Sequence, residues 1–212
     1  MLSILGVSIS AFTVSLYSLW RTTLSPFQLS LSYDSPTFTL YRITPEVSGG
    51  QRSWWIPSMD ADFTFYNTGK RGGEVTDLRF VCTLVEGGRR RVYIFYAKWV
   101  VDFKTFQRLR ADRMGWIGSS IERTWYPLIM GGDEERSLHI VFEGMRWDEP
   151  LTGEMRISLE TYSSMESRWV EQEVFHHHLT EMMYEDTSAV SLESSRMKMT
   201  RDMPDEWSSR RG

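Results

Sequence analysis

From Pro26 onward the apolar residues recur every second position, and this period limits what the chain can fold into more than any other feature. In Phe27-Gln-Leu-Ser-Leu-Ser-Tyr33 the residues Phe27, Leu29, Leu31 and Tyr33 share one face. That alternation belongs to half-buried strands, whose neighbouring side chains point to opposite sides. Thr37 to Ile43 repeats it, and Met59 to Tyr66 puts Ala61, Phe63 and Phe65 together before an Asn- and Gly-rich turn. Val75 to Val85 and Arg91 to Val101 are long β-rich runs joined across Glu86 to Arg89, a hairpin signal. Ser119 to Ile129, Ser137 to Phe142, Glu154 to Tyr162 and Arg168 to Leu179 follow, punctuated by Gly131-Gly132 and Gly153. About nine strands with no β–α rhythm predict a mainly β fold, an antiparallel β-sandwich.

One segment departs from period two. Across Asp102 to Gly118, Phe103, Phe106 and Leu109 fall at helical spacing, which predicts a short helix inserted near 102–118 as a cap over a sheet edge. The chain therefore reads as residues 1–21, a β-sandwich domain over 22–184, and a tail over 185–212. The tail is rich in Ser, Met and charge of both signs and is expected to be poorly ordered.

The first twenty of the 212 residues carry no charged side chain. Leu2 to Trp20 would make about 28 Å of helix, close to a bilayer core of about 30 Å. The expectation is a single transmembrane helix, a membrane anchor formed by Leu2, Leu5, Phe12, Leu16, Tyr17 and Trp20. Tyr17 and Trp20 would lie at headgroup level. The chain would then be a single-pass membrane protein with the lipid bilayer as partner. Arg21 after the span places the folded part in the cytoplasm by the positive-inside rule. Ser8, Ala11, Ser15 and Ser18, spaced three, four and three apart, form a small-residue seam along which two such helices would pair as a homodimer.

The anchor end Ser15-Leu-Tyr-Ser-Leu-Trp20, followed by a strand, resembles small, uncharacterised prokaryotic membrane-anchored proteins that carry an immunoglobulin-like β-sandwich. Phe63-Thr-Phe-Tyr-Asn67-Thr-Gly69 with Val75-Thr-Asp-Leu78 is similar to their strand–turn–strand stretch. Trp125-Tyr-Pro127 with Gly131-Gly132 and Leu138 to Phe142 is similar to another. The resemblance spans most of residues 1–180. It implies an anchor and an immunoglobulin-like fold, and it brings no catalytic residue.

Chemistry-bearing patterns are few. A net charge of −4 argues against a nucleic-acid partner, and one cysteine, Cys82, excludes an internal disulfide. Cys82 sits in an apolar strand and reads as a small buried hydrophobe. No nucleophile elbow, Walker A loop or zinc-protease helix is present. His176 and His178 would share a strand face and are candidate metal ligands, two where a site needs three or four. His139, the remaining histidine outside that run, has no partner at ligand spacing. The segment from Glu86 to Arg113 is basic. Arg89, Arg90, Arg91, Lys104, Arg108, Arg110 and Arg113, with Trp116 beyond, are candidates for contact with a lipid surface or a partner. The functional expectation is a membrane-anchored, non-enzymatic domain for binding or scaffolding, without a cofactor. The alternatives are metal or enzyme chemistry at the histidine strand, and anionic-lipid binding through the basic segment.

Overall fold

The alternating runs become strands because each can bury one face. Met59, Ala61, Phe63 and Phe65 on one strand, and Leu78, Phe80, Cys82 and Leu84 on another, are all buried. The computed structural model describes residues 2–44, 53–86, 88–111 and 117–194. Among these residues there are eleven strands: β1 (Leu29–Tyr33), β2 (Thr37–Ile43), β3 (Trp54–Asn67), β4 (Gly73–Glu86), β5 (Arg89–Val101), β6 (Ile121–Thr124), β7 (Leu128–Met130), β8 (Glu135–Glu143), β9 (Gly153–Ser163), β10 (Trp169–Leu179) and β11 (Ser188–Ser191). Helix α1 covers Leu2–Leu19 and helix α2 covers Phe103–Ala111.

All pairings are antiparallel, and the strands form one sheet in the order β10-β9-β4-β5-β8-β3-β2-β11. Strand β1 adds to β3, β6 to β5 and β7 to β4. Strand β5 joins the two halves. Its first residues, Arg89 to Tyr96, pair with β4, and from Tyr96 to Val101 it pairs with β8. The register slips between Ala97 and Trp99, where an extra residue lets a strand bend and twist. Curling about β5 brings the inner faces together. Phe80 meets Phe142 edge-on at 4.8 Å between ring centroids, and Phe175 meets Tyr33 at 6.3 Å. A bridge between Phe175 and Ser194 links the β10 edge to the chain just beyond β11.

This corrects the expectation of an immunoglobulin-like β-sandwich. Antiparallel β-structure is present, yet it is a single curled sheet, because one strand of 13 residues serves both halves. Period two says which face a residue takes and nothing about which strand lies beside it.

The N-terminal span is corrected as well. Helix α1 has 18 residues, and no helix among those described is long and apolar enough to cross a membrane. At about 1.5 Å per residue it falls short of the roughly 20 apolar residues a span needs. Ser3, Ser8, Ser10, Thr13, Ser15 and Ser18 dilute its apolar content, and a π-helical turn containing Arg21 follows directly. With the span go the membrane-anchor role of Leu2, Leu5, Phe12, Leu16, Tyr17 and Trp20, the bilayer as partner, and the single-pass location with its cytoplasmic side. The tail reading changes over its first part, because β11 lies there and pairs with β2. Residues 195–212 lie outside the described residues.

Candidate functional site

Strand β8 shows where the outer surface of the sheet acquires a second layer. Ile140 and Phe142 face the core, so His139 and Val141 point outward, yet all four are buried. The cover is α2. It follows β5 directly and begins with Asp102, whose Oδ1 accepts the Thr105 N–H at 2.8 Å as an N-cap. Phe106 of α2 packs with Val101 and Val141, flanked by Trp99 and Ile121, as a small apolar cluster separate from the main core.

Under this cover lies a charge cluster. Asp62 of β3 stands opposite His139 in register, and Asp60 lies two residues along on the same face. His139 Nδ1 donates to Asp62 Oδ1 at 2.9 Å, and Nε2 lies 3.5 Å from Asp60 Oδ2, an ion-pair separation with no closer partner among the described residues. The rings of Phe103 and Phe106 sit 4.8 and 5.2 Å from the imidazole centroid. His139 is 6% exposed and Asp60 is 5% exposed. Burial alone would push the imidazole pKa down. The hydrogen bonds and charges of Asp60 and Asp62 outweigh it, and the pKa stands above its ordinary value. The sequence signal for this cluster is two acids at i and i+2, Asp60 and Asp62, on an otherwise apolar strand. A lone histidine inside Leu138-His-Ile-Val-Phe142 completes it.

The residues singled out from the sequence are dispersed. His176 and His178 do share the outer face of β10, with His177 turned inward toward Phe38 at 6.2 Å. Burial, then the neighbouring His178, lowers the His177 pKa, with Glu154 opposing. His178 Nδ1 is engaged by Glu154 Oε1 at 2.8 Å, and among the described residues no group of three or more His, Cys, Asp or Glu is gathered to hold a metal. Cys82 is fully buried, and burial pushes its thiol pKa well up.

The basic segment does not form one surface. Arg89, Arg90 and Arg91 start β5, whereas Lys104, Arg108 and Arg110 belong to α2 beyond its other end, about 40 Å away at roughly 3.3 Å per residue. Arg91 is occupied by Glu86 at 3.7 Å and Glu149 at 3.8 Å. Arg113 and Trp116 lie outside the described residues.

Helix α1 presents the opposite situation to α2. From Ile9 to Leu19 each side chain is exposed, Phe12 at 65%, and Trp20 just beyond is exposed at 51%. Thr13 Oγ1 and Ser15 Oγ donate back to the carbonyls of Ile9 and Ala11 at 2.8 Å, so these hydroxyls are spent on the helix's own backbone. The outward surface is thereby more apolar than its composition suggests. Ser8, Ala11, Ser15 and Ser18 all lie on this helix.

No protein-family model matches the chain, and no curated protein matches it. Among solved structures, a crystal structure of a protein assigned as ApaA from Bordetella pertussis overlaps at 12% identity. The overlap covers 79% of this chain and 95% of that one, with a TM-score of 0.27. An X-ray structure of another structural-genomics target overlaps at 8% identity, covering 78% of this chain and 85% of that one, with a TM-score of 0.26. At such scores neither carries an argument about this chain.

Proposed function

We propose that the chain is a non-enzymatic binding module that presents helix α1 to a protein partner. The observation that carries this reading is the exposure of Phe12, Val14, Leu16, Tyr17 and Leu19 on the uncharged helix α1, with exposed Trp20 just beyond it. Apolar surface left exposed in this way costs free energy in water and marks an interaction site. An amphipathic helix of the chain's own fold would turn such residues inward. The Asp60–His139–Asp62 cluster supports a non-catalytic reading, since both ring nitrogens face carboxylates and two phenyl rings roof the site. A general base must reach its substrate within hydrogen-bond distance, and both nitrogens of this imidazole are turned to carboxylates.

Photo-cross-linking in cells tests the proposal, with a photoreactive phenylalanine analogue at position 12. A discrete adduct is expected, weakened at least about tenfold by Leu16→Glu, as at an apolar anchor of an interface. An adduct of twice the chain's mass identifies a second copy, pairing along Ser8, Ala11, Ser15 and Ser18. A pattern no different from that of the same probe at exposed Tyr126 overturns the reading.

A further inference from the structure

We propose that α2 is a pH-governed cover on the outer face of the sheet, latched by the imidazolium of His139 between Asp60 and Asp62 on one side and the rings of Phe103 and Phe106 on the other. Among the described residues, the charged groups facing His139 can be named element by element. Strand β3 supplies Asp60 and Asp62, and the neighbouring β5 supplies only the apolar Val101 opposite it. Strand β6 contributes Ile121 to the apolar cluster beside it. On the α2 side, among the described residues, Asp102 is engaged with Thr105, Lys104 and Arg108 are exposed, and Phe103 and Phe106 meet the imidazole.

Each contact depends differently on the proton. A cation within about 6 Å of a ring centroid is attracted by the face of that ring, and both phenyl rings lie inside that distance. The neutral imidazole loses this attraction to α2. It also leaves two carboxylates facing each other across an uncharged ring. Among the described side chains of α2, Phe106 is the buried anchor and Phe103 is 38% exposed. The sign follows from the raised pKa of His139. The latch is fully present below the ordinary value of 6.5 and is lost as pH rises through the folded-state value.

Amide hydrogen exchange on the full chain, corrected for the intrinsic pH dependence of exchange, tests this. Protection of the α2 amides is expected to fall about two- to fivefold between about pH 6 and pH 9, the range that a cation–ring contact implies. Protection of the core strands β3 and β4 should change less. In His139→Gln the change in α2 should vanish. Corrected protection that is flat with pH, or a change that persists in His139→Gln, overturns the proposal. Should His139→Gln fail to fold, NMR titration of the unmodified chain decides. The His139 ring protons and the α2 amides must then titrate with one midpoint, and separate midpoints overturn the proposal.

Discussion

Replacing Phe142 by alanine is expected to cost about 3–5 kcal/mol of stability, the range for a large aromatic removed from a close-packed interior. Whole domains are stable by only about 5–15 kcal/mol, so much of the folded population is at stake. The reason for choosing this residue is its position. Phe142 is fully buried, lies on β8 between β3 and β5, and meets Phe80 at 4.8 Å and Phe63 at 5.7 Å. It therefore ties the two halves of the sheet across the core. Alanine leaves a void lined by rings that cannot collapse without moving both halves. A urea titration should show the midpoint falling sharply, while Ile129→Ala, at a side chain 74% exposed, should change stability by less than about 0.5 kcal/mol. Equal midpoints for the two variants would refute the assigned role of Phe142.

The second large effect is expected at Asn67, which is 2% exposed. Its Oδ1 accepts the N–H groups of Gln28 at 3.1 Å and Gly69 at 3.0 Å. Its Nδ2 donates to the carbonyls of Arg71 at 2.8 Å and Gly131 at 2.6 Å. One side chain thus joins the segment entering β1, the turn between β3 and β4, and the turn between β7 and β8. Asn67→Ala strips partners from four main-chain groups, and each buried group left unpaired costs on the order of 1–3 kcal/mol. Asn67→Asp should fail to rescue, because a carboxylate can accept the two N–H groups but has nothing to donate to the two carbonyls. Gly69 beside it has the same stringency for a steric reason, since a Cβ there would fall 1.7 Å from the Pro26 carbonyl oxygen. Full stability in Asn67→Asp, measured by the same titration, would show that the amide nitrogen does not matter.

Much of the sheet was legible in the sequence. Thr37 to Ile43 is β2 residue for residue, and the long runs either side of Glu86–Arg89 are β4 and β5 to within a few residues. The helix read near 102–118 occupies Phe103–Ala111. Other segments were hidden for identifiable reasons. Pro57 lies within the first half of β3, so the run read from Met59 begins five residues late. Pro127 divides what reads as one strand from Ser119 to Ile129 into β6 and β7, because it has no N–H to give a ladder. The four residues of β11, Ser-Ala-Val-Ser, carry too little apolar alternation to be seen.

What local pattern cannot supply is pairing. The bend in β5 and the meeting of His139 with Asp60 and Asp62 both depend on register between distant strands. A histidine judged by its sequence neighbours looks solitary, whereas across the sheet it is doubly paired. The exposure of α1 was equally out of reach, since an uncharged helix reads the same whether or not the rest of the chain covers it.

The order of strands in the sheet also sets a timetable. Hairpin β4–β5 can form early, because its strands are adjacent in the chain. Strand β3 must wait for β8, β4 must wait for β9, and β2 must wait for β11, in which Ser188 pairs with Leu40. Folding dominated by such distant pairings is slow, running to milliseconds or longer in small β domains. Until β11 has been made, the flank of β2 that it covers lacks this partner. Closure of this sheet therefore waits on β11, the last of the described strands in chain order and the partner of β2.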